Sequence, residues 1–299
     1  LRAFFETGDE PIALLGASGS GKSVTLRCIA GILRPDTGRI VLNGRVLFDS
    51  AAGVNLPPQR RRIGYLFQQY ALFPNMTVRQ NIASVAKKNG QPQLTEALLH
   101  RFHLQDVANH RPRQLSGGQQ QRTALARILA SEPEAILLDE PLSALDSHLR
   151  RQIEIDLQRT LSEFAAPAVW VTHDQGEACR SCRQVCLMDQ GQAQGGRSME
   201  DFFACPDTIA AARLSGCETI VEAEEKDGKL LVPAWNLVLT CQPPARRECS
   251  ALGLRTRHLR PSAPGEENAF ACRVEAVISD AFHDLLMLRP AAAQAQAPT

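Results

Sequence analysis

Gly16-Ala17-Ser18-Gly19-Ser20-Gly21-Lys22-Ser23 decides how the rest of the chain is read. It follows Ile12-Ala13-Leu14-Leu15, a short apolar run of the kind found in buried strands, and precedes Val24 to Leu33, a helix that must end before Pro35. A glycine-rich turn between strand and helix fits the pattern G-x-x-x-x-G-K-[ST] in the context its mechanism demands. Glycines let successive backbone N–H groups curl around phosphate oxygens, and the helix N-terminus adds the positive end of its dipole. Gly16, Ala17, Ser18, Gly19, Ser20 and Gly21 then form a cradle, Lys22 reaches the β- and γ-phosphates of a nucleotide, and the Ser23 hydroxyl ligates Mg²⁺.

Outward from this loop, strands and helices alternate. Leu1 to Glu6 reads as a strand entered without an initiating Met, so preceding residues are expected, and Phe4 and Phe5 are expected in the core. Asn43-Gly44 between Ile40-Val41-Leu42 and Val46-Leu47-Phe48 signals a hairpin. Ile63 to Phe67 is a further strand. Val78 to Val107 reads as one helical stretch, with Leu94, Leu98, Leu99, Phe102 and Leu104 at helical spacing. Helix Gly118 to Ser131, strand Ala135 to Leu138, helix His148 to Phe164, strand Ala168 to Val171 and a strand at Val185 complete the series. That alternation predicts a mainly parallel sheet covered on both faces. After Leu214 short alternating runs separated by Asp-Gly and Pro-Pro turns predict a small β domain. The expected division is 1–212, 213–290 and a disordered Ala/Gln/Pro tail over 291–299.

Among 299 residues, 33 Lys and Arg stand against 32 Asp and Glu, a net charge of +1. Such balance argues against a general polyanion binder, so nucleic acid is not an expected partner. A 44% hydrophobic and 22% charged composition excludes wholesale disorder. No apolar run approaches the roughly 20 residues that span a bilayer, and no signal peptide opens the sequence, so a soluble intracellular protein is expected. Nine cysteines read as reduced thiols. Cys179, Cys182 and Cys186 lack an obvious fourth ligand and read as helix and buried-strand residues, not a metal site. Arg60-Arg61-Arg62 reads as solvated loop charge.

Two further segments carry chemistry. Asp139 follows the apolar strand Ile136 to Leu138, at a strand's carboxyl end, where open parallel sheets bind ligands. It is a natural second anchor for the Mg²⁺ shell, and Glu140 is placed to polarise a water for attack on the γ-phosphate. Leu115-Ser116-Gly117-Gly118-Gln119 opens a helix and forms a second anion-binding N-terminus. One nucleotide has one set of phosphates, so two such sites on one chain suggest two copies that sandwich two nucleotides.

The set Gly16 to Ser23, Gln68, Leu115 to Gln119, Leu137 to Glu140, Ser143-Ala144-Leu145-Asp146 and His173 resembles the ATP-binding-cassette ATPases over about the first 200 residues. The resemblance implies an α/β fold: a P-loop NTPase core with a helical subdomain, here joined to a small C-terminal β domain. It implies ATP and Mg²⁺ as cofactors and a head-to-tail homodimer. In it Gln68 senses Mg²⁺ and the attacking water, His173 contacts the γ-phosphate, and Asp146 lines the dimer interface. Ser116, Gly117, Gly118 and Gln119 act on the partner's nucleotide.

Tyr70 to Val78 is similar to the importer surface that grips a permease's coupling helix. Arg39 to Phe48 and Leu56 to Arg62 look most like the ATPases of molybdate and sulfate importers, and Leu214 to Cys217 with Gly253-Leu254-Arg255 resembles their small C-terminal domain. These likenesses imply an ATPase subunit at the cytoplasmic face of the membrane. It would be peripheral, served indirectly by a solute-binding protein, and take up molybdate first, with sulfate or tungstate next. The alternative is a soluble cassette ATPase without a permease, acting in translation or nucleic-acid maintenance. Members of this family stack adenine on an aromatic residue upstream of the first complete strand, a region this sequence does not include.

Overall fold

The computed structural model describes residues 1–88, 90–143, 147–164, 166–226, 228–240, 249–263, 265–279 and 284–293. Asp146, with Ala144 and Leu145 before it, and the tail from residue 294 lie outside the described residues. In chain order the elements are β1 (Arg2–Phe4), β2 (Ile12–Leu15), α1 (Lys22–Ala30), β3 (Arg39–Leu42), β4 (Arg45–Asp49), β5 (Val54–Asn55), α2 (Pro58–Arg61) and β6 (Ile63–Leu66). Then come α3 (Val78–Ala86), α4 (Leu94–Arg101), α5 (Gly117–Leu129), β7 (Ala135–Asp139), α6 (Ser147–Phe164), β8 (Ala168–Thr172), α7 (Gln175–Ser181), β9 (Gln184–Asp189), β10 (Gln192–Gln194) and β11 (Arg197–Ser198). The last are α8 (Met199–Ala204), α9 (Ile209–Leu214), β12 (Thr219–Glu222), β13 (Glu224–Lys226), β14 (Lys229–Val232), β15 (Leu237–Thr240), β16 (Ala251–Leu254), β17 (Cys272–Ser279) and β18 (Asp284–Pro290).

Every residue of β2, β7 and β8 is buried, as continuous apolar runs covered on both faces must be. These strands form the centre of an eight-stranded sheet ordered β1-β10-β9-β2-β8-β7-β6, with β11 also on β9. From β9 to β6 every pairing is parallel, with Leu15 opposite Thr172, Asp139 opposite Val171 and Leu66 opposite Leu138. Leu26 and Ala30 of α1 pack on Ile12, Leu14, Leu137, Val169, Val171 and Met188. Parallel pairing brings the carboxyl ends of β2, β8, β7 and β6 side by side along one edge.

Several expectations need correction. Phe4 is 66% exposed, and only Phe5 packs partly against the core. The reason is that β1 is a three-residue strand at the end of the sheet order, paired with β10, and all three of its residues are exposed. The stretch 78–107 is not one helix: α3 ends at Ala86 and α4 begins at Leu94. Gly90 takes a left-handed φ of 75° and Pro92 comes two residues later, a breaker pair that helical spacing on either side obscures. The hairpin is as expected, with Asn43 and Gly44 at φ 50° and 77° in the turn joining β3 to β4. Cys179 lies on α7, Cys182 at its C-cap and Cys186 inside β9, and burial pushes the Cys186 thiol up to about 11.

The second compact unit spans Phe202–Thr299, against Leu1–Asp201 for the first. In it β12 pairs with β16, β13 to β15 form a three-stranded sheet, and β17 pairs with β18. Val221, Ala223, Leu230, Val232 and Trp235 make its small core.

Arg60 and Arg62 of the basic run are exposed as expected, but Arg61 is not solvated charge. Arg61 is fully buried, and its guanidinium donates to the carbonyls of Leu56, Cys28 and Ile29 at 2.8 Å and to Asn55 Oδ1 at 3.0 Å. Cys28 and Ile29 belong to the last turn of α1, where carbonyls run short of helical N–H donors, and the Cys28 carbonyl also accepts from the Gly31 N–H at 3.2 Å. Arg61 therefore caps α1 from the segment that leads into β6. Gly31, at φ 80°, lets it in: a Cβ there would lie 2.5 Å from Arg61 Nε. Arg61→Ala is expected to lower unfolding free energy by about 3 kcal/mol, whereas Arg60→Ala changes it by less than about 0.5 kcal/mol. Denaturant titration of both variants checks this; equal effects would contradict the capping role.

Candidate active site

The loop after β2 is shaped by backbone that side chains rarely tolerate. Gly19 and Gly21 have φ of 79° and 107°, and Gly21 is the N-cap of α1. Gly16 has a different reason: a Cβ there would sit 2.2 Å from the Met188 carbonyl oxygen of β9. The loop is thus pressed against the neighbouring strand. Lys22 folds back into it, donating to the carbonyls of Gly16 and Ala17 at 2.8 Å each. Burial lowers the pKa of its ammonium group, and the negative charges of Glu140 and Asp139 act against that shift. The Ser20 hydroxyl is buried in the same loop without a hydrogen-bond partner. A cradle closed to a Cβ, a buried cation and an orphaned hydroxyl together suit an anion with several oxygens.

At the end of β7 the Asp139 carboxylate is 6% exposed and accepts two hydroxyls. Ser23 donates to Oδ1 at 2.7 Å and Tyr65 to Oδ2 at 2.8 Å. Burial, the hydrogen bond to Asp139 and its charge all push the Tyr65 phenol upward, so Tyr65 stays a donor. Ser23 and Asp139 therefore place two hard oxygens side by side, a donor set that fits Mg²⁺.

Glu140 leaves the strand in a left-handed conformation, φ 47°, while its N–H donates to Val171 O at 3.0 Å. The turn is held by the Ser143 hydroxyl, which donates to the Glu140 carbonyl at 2.9 Å. This reversal sends the carboxylate toward two other strand ends. His173 Nδ1 lies 3.4 Å from Oε1, and Gln68 Nε2 lies 3.4 Å from Oε2 and 3.2 Å from Ser143 Oγ. A small cleft of about 60 Å³ opens beside Glu140, Ser143, His173 and Glu177.

Lys22, Ser23, Gln68, Asp139, Glu140 and His173 thus meet along one sheet edge, although they come from four separate strand ends. The segment 116–119 forms a second group at the head of α5. Ser116 accepts from Gln119 N at 3.3 Å, and Gln119 Oε1 accepts from Ser116 N at 2.9 Å, a capping box. Among the described residues no hydrogen bond joins this group to the phosphate-loop group.

The segment from Tyr70 to Val78 is organised by Asn81, which is fully buried on α3. Its amide donates to the carbonyls of Phe73, Met76 and Thr77 and accepts from Phe73 N at 2.9 Å. Phe73 and Met76 are left exposed at 47% and 36%, with the Arg127 guanidinium over the Phe73 ring. Tyr65, Asn81 and the Thr172–Glu177 contacts carry no local sequence signal. Only the sheet register, with Tyr65 opposite Leu137, places the phenol beside Asp139.

Comparison with known proteins agrees with this geometry. Residues 7–143 match the family described as ABC transporter. The molybdenum import ATP-binding protein ModC of Rhizobium etli is 33% identical over 292 residues, covering 93% of this chain and 82% of that protein. The spermidine/putrescine import ATP-binding protein PotA of Acidothermus cellulolyticus is 41% identical over 72% of this chain, and the Fe(3+) ions import ATP-binding protein FbpC of Haemophilus influenzae 40% identical over 73%. The chain spans only 56% and 63% of the length of these last two. Among solved structures, a dimeric ATP-binding cassette in a post-hydrolysis state bound to ADP and Pi is similar. It has a TM-score of 0.54, 32% identity, and coverage of 64% of this chain and 87% of that one. The first unit accordingly has the cassette form of the P-loop NTPase fold.

The two kinds of glycine in the loop should respond differently to a methyl group. Gly16→Ala is expected to cost about 3 kcal/mol or more, because the Met188 backbone must shift. Gly19→Ala meets nothing within 4 Å and is expected to cost only about 1 kcal/mol of left-handed strain. Thermal unfolding of the pair checks the ordering.

Proposed function

Because the chain belongs to the ABC transporter family, we propose that it is the ATP-hydrolysing subunit of an importer, working with Mg²⁺ as a head-to-tail pair with a second copy of itself. The observation that carries this reading is the convergence of Lys22, Ser23, Gln68, Asp139, Glu140 and His173 on one sheet edge. Gly16 to Gly21 hold the β- and γ-phosphates of ATP through backbone N–H groups, and Lys22 exchanges the carbonyls of Gly16 and Ala17 for phosphate oxygens. Ser23 and Asp139 would hold Mg²⁺, with Gln68 completing the shell. Bound there, the ion supplies positive charge that withdraws electron density from the phosphates. Glu140 accepts a proton from the attacking water, and His173 and Gln68 fix the orientation of its carboxylate and of the γ-phosphate.

Ser116, Gly117, Gly118 and Gln119 act on the nucleotide of the partner, their helix dipole facing the γ-phosphate. Asp146 lines the same interface. The exposed Phe73 and Met76 surface engages a permease, which spans the membrane on this chain's behalf; no helix among the described residues is long and apolar enough to do so. The chain then sits on the cytoplasmic face, and a solute-binding protein delivers cargo to the permease.

Molybdate is the solute this reading favours, with sulfate and tungstate next. The support is the extent of the match: the molybdenum-import relative aligns over 93% of the chain, including the second unit, whereas the polyamine and iron relatives align over 72% and 73%.

Glu140→Gln is expected to retain ATP binding and lower hydrolysis by a factor of about 10²–10⁴, and light scattering should find it dimeric with MgATP. A variant that hydrolyses near the parental rate overturns the base assignment, and one that stays monomeric overturns the sandwich. For the solute, cells that express the chain with its permease should accumulate molybdate and lose that uptake with Lys22→Ala. Accumulation of polyamine or ferric iron instead would overturn the molybdate reading.

A further inference from the structure

His173 is the most loosely held group of the site. Its side chain is 63% exposed and approaches Glu140 at 3.4 Å. An imidazole placed at a strand end owes its position to the backbone on either side, here Thr172 before it and Asp174 after it. Both are tied to Glu177, four residues further on and 5% exposed: Thr172 to its carboxylate and Asp174 to its backbone N–H.

The ties are directional. Trp170 Nε1 donates to Glu177 Oε1 at 2.6 Å, reaching from inside β8. Thr172 Oγ1 donates to Glu177 Oε2 at 2.9 Å and accepts from Asp174 N at 3.0 Å. Because the Asp174 N–H already occupies the Thr172 oxygen as a donor, the hydroxyl proton is free to point at Glu177. Asp174 Oδ1 in turn accepts from Glu177 N at 3.0 Å as the N-cap of α7. The strand end and the first helical turn are therefore closed into one ring of hydrogen bonds among Thr172, Asp174 and Glu177, with His173 between them in the chain. A second fastening holds the helix: Arg180 donates to both oxygens of Glu154, at 2.7 and 3.1 Å, and Glu154 is 1% exposed on α6.

Burying a carboxylate costs free energy unless donors compensate it, and here the donors are Trp170 inside β8 and Thr172 at its end, so one side chain on α7 fixes the strand end. Burial raises the Glu177 pKa, and the Thr172 and Trp170 hydrogen bonds work against that rise. Glu177 also lines the small cleft beside Glu140 and His173. We propose that Glu177 is a positioning residue for the hydrolysis step: its carboxylate clamps Trp170 and Thr172 so that His173 is presented to the γ-phosphate and to Glu140. This rests on the proposed role of His173 in hydrolysis.

The test is steady-state ATP hydrolysis by four variants of the full chain. Glu177→Ala should lower kcat by about tenfold or more while KM for ATP stays within about twofold, because the phosphate loop is untouched. Glu177→Gln should lose less than about threefold, since its amide oxygen still accepts the Trp170 N–H. Thr172→Val keeps the strand and the branched shape, removes the hydroxyl, and should lower kcat by about fivefold or more. His173→Ala supplies the reference, with an expected loss of about 100-fold or more. The imidazole resonances of His173, followed by NMR, should shift in Glu177→Ala and return toward the parental position in Glu177→Gln.

A near-parental kcat in Glu177→Ala with His173→Ala inactive overturns the proposal alone. A near-parental rate in His173→Ala overturns the reading of His173, and a slow Glu177→Ala beside it shows that Glu177 does not act through the imidazole. If Glu177→Ala fails to fold, Thr172→Val decides: parental kcat and unshifted His173 resonances overturn the clamp.

Discussion

Parallel pairing of β2 with β8, and of β8 with β7, is the constraint on which the rest of the first unit depends. These strands are buried on both faces, so none of their side chains can carry charge until the strand ends. Charge is therefore confined to the strand ends, and at the carboxyl edge Gly16 follows β2, Asp139 closes β7 and His173 follows β8. Register does the rest. Asp139 stands opposite Val171, and the hydroxyl of Ser23 reaches its carboxylate across 116 positions of sequence. A slip of one residue in either pairing would turn these groups to opposite faces and dissolve the site.

The helix after the phosphate loop is fixed at both ends by unrelated means. At its head, glycines admit a backbone that brings N–H groups to the loop; at its foot, the buried Arg61 guanidinium takes the last carbonyls. A helix whose dipole is meant to act on an anion gains from having its negative end neutralised in this way. Arg61 also comes from the segment joining the β3–β5 sheet to β6, while Arg45 donates to the carbonyls of Arg60 and Arg61 and pairs with Glu134 at 2.7 Å. The small antiparallel sheet is thus wired to the segment leading into β6 through arginine-to-carbonyl bonds, beside the apolar packing of Leu47 and Phe48, which are buried on β4 while β3 buries no residue fully.

What sequence reveals and what it conceals divide along the same physical line. Gly16 to Ser23, Asp139-Glu140 and the capping-box head of α5 are local patterns, in which neighbours in sequence do the work, and each is legible. The Asn43-Gly44 turn belongs with them. Arg61 and Tyr65 are opaque because their partners lie far away. The middle arginine of a basic triplet has the same appearance whether solvated like its neighbours or, as here, threaded under a helix; a tyrosine in an apolar strand looks like core until register puts its hydroxyl beside Asp139. Phe4 misleads for a related reason, since apolar character says nothing about whether a strand lies at a sheet's edge. The break between α3 and α4 is a matter of competing signals, with leucine spacing masking Gly90 and Pro92. Asp146 and its neighbours lie outside the described residues, so their expected place at the interface rests on motif alone.

The site as it stands is satisfied almost entirely by itself. Lys22 is bonded to loop carbonyls, Ser23 and Tyr65 to Asp139 and Gln68 to Glu140, while His173 approaches the same carboxylate at 3.4 Å. Each of these contacts involves a group that the proposed chemistry would call on. Entry of a polyphosphate would then exchange one set of polar bonds for another and would not have to create charge interactions from solvated groups, which keeps the cost of desolvation low on the protein side. It also sets an order of demand. The carboxylates are already anchored by hydroxyls and by the left-handed turn at Glu140, so they need little rearrangement; Lys22 must leave its carbonyls, and His173 must hold its place while exposed. Glu177 bears on that last requirement through the Thr172 hydroxyl at the end of β8, the same carboxylate that satisfies the buried Trp170 indole N–H; one buried group therefore serves both the interior of the strand and the end from which His173 emerges.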